Sequence, residues 1–225
     1  MIHDKIETQM RIGIFDSGIG GEAVADALRR LLPTAKIITA NDHNNVPYGD
    51  KKPEDIIRLT RHAIQPLLSA SCDVIVIACN TATTVAISSL RIAYPSQHFV
   101  GIEPMIKPAA VVTKTGHIAV CATPRTLESN RYKELKKEWA NNIIVTEPNC
   151  KNWASQIEQG KSDQIEVEAM IKSLVKEKVD VIVLGCTHFH WLKQRMIKAA
   201  PNITIMEPSD SIVLRIKDLL ETRAY

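Results

Sequence analysis

The run DVIVIACNT at 73–81 returns as DVIVLGCTH at 180–188. Each copy opens on an Asp, continues as an apolar, β-branched run and places a cysteine six positions after that Asp. Other segments pair at nearly the same spacing. Ile12 matches Ile118, Cys79 matches Cys186, and VGIEP ending at Pro104 matches TIMEP ending at Pro208. Four strands in one order at offsets of 104 to 107 residues predict a duplicated unit: two similar lobes of roughly 100 residues each.

Within each copy, short β-branched runs alternate with longer helical stretches. RIGIF, KIITA, DVIVIA and FVGIE read as strands, separated by GEAVADALRRLL, PEDIIRLTRHAIQPLL and TTVAISSLRIAY. HIAVCA, NIIVT, DVIVLG and TIMEP repeat the order, with TLESNRYKELKKEWA, VEAMIKSLVKEK and FHWLKQRMIKAA between them. Such alternation builds parallel sheets covered by helices on both faces. The expected fold is therefore α/β, with two pseudo-symmetric flavodoxin-like lobes. A final helix over about 209–221 is expected to return to the first lobe, giving 1–97 plus 205–225 as lobe one and 98–204 as lobe two.

Composition limits the partners. The 28 Lys and Arg against 25 Asp and Glu give a net charge of +3 without a basic block, which predicts no nucleic-acid or membrane-surface partner. The N-terminus MIHDKIETQMRIGIFD is charged where a secretory signal would be apolar, so a cytoplasmic location is expected. Five cysteines at 72, 79, 121, 150 and 186, with no CxxC, fit a reducing compartment rather than a disulfide framework.

Ligands of parallel sheets gather beyond the carboxyl ends of the strands. In the first copy those places hold Asp16-Ser17-Gly18, Val46-Pro47-Tyr48-Gly49, Cys79-Asn80-Thr81 and Glu103-Pro104; in the second they hold Thr123-Pro124-Arg125-Thr126, Cys150, Cys186-Thr187-His188 and Glu207-Pro208. Each lobe thus offers one thiol among small hydroxyl and amide residues. If the lobes face one another about a pseudo-twofold axis, Cys79 and Cys186 approach a shared cleft from opposite sides.

That arrangement suits removal of a proton from one face of a carbon and its return to the other, as in racemisation at an α-carbon. One thiolate acts as base and the opposing thiol as acid. A thiol is activated at a helix N-terminus or beside a cation, and both cysteines stand where a strand hands over to a helix. Ser17, Asn80, Thr81, Thr126 and Thr187 are donors able to stabilise carbanion character. Asp16 and His188 are natural auxiliaries to the thiols.

Other readings compete. GIGGEA at 18–23 fits a dinucleotide fingerprint, with Asp42 at the end of the second strand, although Asp16 in the turn would repel a pyrophosphate. Cys186, His188 and His190 have a spacing open to zinc, but no other metal-like cluster completes them. A two-lobed binder of small anions fits the cleft and leaves the paired thiols without a purpose.

FDSGIGG (15–21), VPYGDK (46–51), ACNTAT (78–83), GIEP (101–104), ATPRTLESNRY (122–132) and GCTHF (185–189) together resemble the glutamate racemases, cofactor-independent members of the aspartate/glutamate racemase superfamily. The resemblance runs from Arg11 to about Ile216. It implies glutamate as substrate, D-glutamate supply for bacterial cell walls, and frequent homodimers. It places the catalytic cysteines on Cys79 and Cys186, the assisting Asp and His on Asp16 and His188, and a Glu near the second thiol on Glu158. Substrate contacts fall on Ser17, Pro47, Tyr48, Gly49, Asn80, Thr81, Thr123, Thr126 and Thr187, with no metal. Aspartate racemase is the nearest alternative in chemistry. The chain is shorter than is usual for the family between Glu158 and Asp180, so a thin helical cover is expected there.

Overall fold

The computed structural model describes residues 9–221. Strands β1 (Arg11–Asp16), β2 (Lys36–Asn41), β3 (Val74–Ile77) and β4 (His98–Gly101) form one sheet in the order β2-β1-β3-β4. Strands β5 (His117–Ala122), β6 (Ile144–Thr146), β7 (Val181–Gly185) and β8 (Thr204–Met206) form the other, β6-β5-β7-β8. All the pairings are parallel. The second order is the first shifted by four strands, so the sequence repeat is a repeat of flavodoxin-like winding.

Helices α1 (Gly20–Leu31), α2 (Pro53–Ala63), α3 (Gln65–Ser69) and α4 (Asn80–Ala93) cover the first sheet. Helix α5 (Ile106–Val112) joins the second, with α6 (Pro124–Glu128), α7 (Asn130–Trp139), α8 (Trp153–Glu158), α9 (Val167–Lys176) and α10 (Lys193–Ala199). Helix α11 (Ser209–Glu221) crosses back, packing Ile212, Val213 and Ile216 on Val24 and Leu28.

Strands buried on both faces explain the unbroken apolar runs. Ile12, Ile14, Val74 and Val76 pack under α1 and α11, while Phe15, Ile75 and Ile77 pack under α2, α3 and α4. The second sheet divides likewise, with Ile182 and Leu184 on one face and Val181 and Val183 on the other. The Asp that opens each repeat satisfies backbone amides at the lower edge of its sheet. Asp73 accepts from Arg11 N at 2.9 Å, and Asp180 accepts from Lys114 N at 2.6 Å and from the Thr113 hydroxyl.

Both expected lobe boundaries fall too early. A break at 97/98 would detach β4, yet β4 pairs with β3 from Val74↔His98 to Ile77↔Gly101, so the chain leaves the first sheet only after Gly101. A return at 205 would split β8, whose Ile205 and Met206 pair with β7. Edge strands this short carry too little pattern to declare their sheet; pairing in space assigns them. Two expected single helices are also divided. Pro66, which has no N–H to give, marks the α2–α3 break, and Ser129, with extended backbone, ends α6 and caps α7 by accepting from Tyr132 N at 3.1 Å. Among the described residues, no helix is long and apolar enough to cross a membrane.

Candidate active site

A cavity of about 20 Å³ lies between the carboxyl edges of the two sheets, with space for about one water. Lobe one lines it with Ser17, Cys79, Asn80, Thr81 and the Pro47-Tyr48-Gly49 turn; lobe two brings Thr123, Cys186, Thr187 and His188. Ala154 is a further lining residue that carried no signal in the sequence. Of the remaining sequence-predicted residues, Asp16, Thr126 and Glu158 touch those that line the cavity.

Cys79 stands at the end of β3 in the N-cap position of α4. Its sulfur accepts from Ala82 N and lies 3.4 Å from Ser17 Oγ. The helix start nevertheless fails to acidify it. Burial, reinforced by the nearby Asp16 charge, outweighs those hydrogen bonds and pushes the thiol up to about 12. Cys79 is therefore a neutral thiol at ordinary pH, contrary to the expectation of an activated one.

Cys186 has a different environment. It is followed by a 3₁₀ turn over Thr187–Leu192 rather than an α-helix, and no capping hydrogen bond reaches its side chain. Its partner is His188 Nδ1 at 3.7 Å, while the other ring nitrogen meets Glu158 Oε1 at 2.5 Å. Burial opposes a charge on His188, but the hydrogen bonds to Cys186 and Glu158 prevail and hold the imidazolium up to about 11. Glu158 would be raised by burial, and His188 together with the Ile19 amide brings it below the usual carboxylate range. Cys186 Sγ thus faces an imidazolium.

Asp16 binds the lobes together. One oxygen accepts from the Gly18 and Gly21 amides at the start of α1, and the other accepts from the Thr187 hydroxyl of lobe two at 3.0 Å. Burial pushes its carboxyl up, against the pull of the His188 charge and these donors. A second tie between the lobes runs from Ile19 N to Glu158 Oε1 at 2.8 Å. Gly18 must lack a side chain here, because a Cβ would occupy the position of the Glu158 carboxylate. A third joins Thr81 Oγ1 to Thr123 Oγ1 at 2.9 Å, with Thr126 Oγ1 3.0 Å from Thr123. Tyr48 donates its hydroxyl to Asp42, which also accepts from Asn45, fixing the Pro47-Tyr48-Gly49 turn.

Ile19, Gly18 and Asp42 are the positioning residues that sequence reasoning missed or misassigned. Asp42 had a place only in the dinucleotide reading. That reading fails on geometry, since the amides opening α1 already serve Asp16 and Gly20 packs against Thr187. The zinc reading fails similarly: both ring nitrogens of His188 are engaged, and among the described residues no three His, Cys, Asp or Glu are grouped to hold a metal.

Two parallel lobes present one thiol each to a common cleft, one near Asp16 and the other beside His188, which Glu158 holds, an arrangement open to acid–base chemistry on either side of a bound carbon. The profile of the Asp/Glu/Hydantoin racemase family matches residues 21–214. Glutamate racemase of Roseiflexus sp. (strain RS-1) is 34% identical over 94% of this chain and 80% of its own length. That of Sulfurovum sp. (strain NBC37-1) is 36% identical over 96% and 84%. Among solved structures, Escherichia coli glutamate racemase in complex with L-glutamate and the activator UDP-MurNAc-Ala matches with a TM-score of 0.84 at 29% identity, covering 95% of this chain and 83% of its own. The chain belongs to the Asp/Glu/hydantoin racemase family and is an amino-acid racemase, an isomerase.

Proposed function

We propose that this chain interconverts L- and D-glutamate by a two-thiol mechanism that calls on no cofactor, acting in the cytoplasm as a source of D-glutamate for peptidoglycan. The observation that carries the reading is that Cys79 and Cys186, from different lobes, line one cavity. In the direction described here Cys186, beside the His188 imidazolium, acts as the base and Cys79, held as a thiol, acts as the acid. Cys186 takes the α-proton, and the electron pair left on Cα is stabilised by the substrate carboxylate and by donors from Asn80, Thr81 and Thr187. Cys79 then delivers its proton to the opposite face. The configuration is inverted, and the thiol and thiolate have exchanged places, ready for the other enantiomer.

Circular dichroism of L-glutamate, with L-aspartate in parallel, tests the substrate. Loss of signal with glutamate alone supports the reading; turnover of aspartate alone replaces it with the nearest alternative. Deuterium from D₂O should appear at Cα of both glutamate enantiomers, and its absence from both would end the mechanism. Growth of a D-glutamate auxotroph on expression of this chain tests the cell-wall role. A homodimer belongs to the same reading and is checked by light scattering.

A further inference from the structure

Lobe two carries a second cavity, at the edge of the sheet opposite the two cysteines. It lies where α9 and α10 end and β7 and β8 begin, and its volume is about 690 Å³, within the range of small-molecule sites. Val175, Val179, Ala200, Pro201 and Ile203 supply apolar wall. Lys172, Lys176 and Lys178 line it as well, together with Asp180, whose carboxylate is taken up by Thr113, Lys114 and Thr115, and Lys172 also feels the Glu168 charge.

The same place in lobe one holds a half-buried tyrosine, Tyr94. Helices α4 and α10 end alike, on Tyr94 and Ala200: each C-cap amide bonds a carbonyl four residues back, and each residue is followed by Pro and an edge strand. In lobe one the Tyr94 hydroxyl accepts from Gln65 Nε2 at 3.0 Å, and its ring lies 6.3 Å from that of Phe99. In the register that matches Asp73 to Asp180, Gln65 corresponds to Lys172 and Ser71 to Lys178. The second lobe therefore has alanine where the first has a phenol, and a lysine where the first has that phenol's hydrogen-bond donor.

The backbone supplies independent support. Among the described residues Ser71 and Lys178 are the two non-glycine positions with positive φ, 52° and 68°. Glycine adopts that conformation without steric cost. The shared conformation supports the match of Ser71 to Lys178, and in the second lobe that residue lines the cavity.

We propose that this cavity binds a planar aromatic anion, its ring taking the place that Tyr94 fills in lobe one and its carboxylate or sulfonate meeting Lys172, Lys176 and Lys178. Titration of the ¹⁵N-labelled full chain with 2-naphthoate, and with neutral 2-naphthylmethanol, reads the amides of Val179, Ala199 and Ala200. Saturable shifts with naphthoate are expected, with affinity at least tenfold weaker for the neutral analogue. Ala200→Tyr should abolish binding while racemase activity at the far edge of the sheets is retained, and Lys172→Gln should weaken it at least threefold. Absence of saturable shifts at millimolar naphthoate, or equal binding by Ala200→Tyr, overturns the proposal. Amide shifts that follow protein concentration instead would assign the cavity to a second copy of the chain, and would equally overturn it.

Discussion

His188 donates from Nε2 to Glu158 Oε1 at 2.5 Å, and the same oxygen accepts the Ile19 amide of the other lobe at 2.8 Å. One carboxylate oxygen thus joins the imidazole beside Cys186, in its own lobe, to the backbone of the other lobe.

Glu158→Gln tests this tie. Loss of the negative charge lets burial act on His188 with less opposition, so its pKa falls from about 11. The alkaline limb of kcat/KM should move to lower pH, and kcat should drop by roughly 10²-fold, at the low end for a disabled acid–base group. Stability should follow the same linkage. His188 is raised in the folded state, so its contribution is complete below about 6.5 and disappears as pH rises through about 11. Glu158 is lowered, so its contribution is present above about 4.5 and fades as pH falls. Urea unfolding should therefore separate wild type from the variant most between about pH 5 and 6.5, and progressively less as pH rises toward 11. An unchanged pH–rate profile would exclude Glu158 from the mechanism.

Unequal thiols make a second prediction. Cys79→Ser and Cys186→Ser should each lower racemisation by about 10³-fold or more, because either change removes one face of the proton transfer. Cys72→Ser should retain activity, since Cys72 packs beneath β1 against Gly13 and Leu67, away from the cavity. With iodoacetamide at pH 7.5, mass spectrometry should find Cys186 carboxamidomethylated well before Cys79, whose thiol stays protonated up to about 12. Faster labelling of Cys79 would reverse the assignment of base and acid in the resting enzyme.

The legibility of this fold has a physical basis. Strands covered on both faces read as apolar runs, so the duplicated sheets were visible in the sequence, and motifs at the strand ends located most of the cavity lining. The expected boundaries detached β4 and cut through β8 because four or three residues do not encode a partner. The ties of Thr187 to Asp16 and of Ile19 to Glu158 were illegible because each spans more than 130 residues and depends on how two separate lobes dock. The elevated Cys79 thiol was missed for a related reason: a helix N-terminus can be read from sequence, but complete burial beside Asp16 cannot.

Gly18 provides a third test, of backbone rather than chemistry. Added to it, a Cβ would displace the Glu158 carboxylate and crowd His188 Nε2. Gly18→Ala should leave the far-ultraviolet circular dichroism unchanged, since φ at this position is ordinary and the fold elements around it remain intact. Activity should fall by about 10²-fold, the scale of misplacing a catalytic group by an ångström. The alkaline limb should shift in the same direction as in Glu158→Gln. Full activity in Gly18→Ala would show that the Ile19–Glu158 tie is dispensable.

The threonine cluster separates binding from chemistry. Thr81, Thr123 and Thr126 hydrogen-bond to one another across the cleft, beside a cavity of about 20 Å³, smaller than an amino acid. On the proposed reading, the hydroxyls of Thr123 and Thr126 turn from Thr81 to a substrate carboxylate. A hydrogen bond to a charged group contributes about 1.5–3 kcal/mol, so Thr123→Val, which keeps the shape and removes the donor, should raise KM by about tenfold or more. A carboxylate remote from the reacting carbon is held equally in ground and transition states, so kcat should change little. If Thr123→Val instead lowers kcat at constant KM, this hydroxyl acts on the developing carbanion, and the substrate lies in the cleft with its reacting carbon toward the threonines.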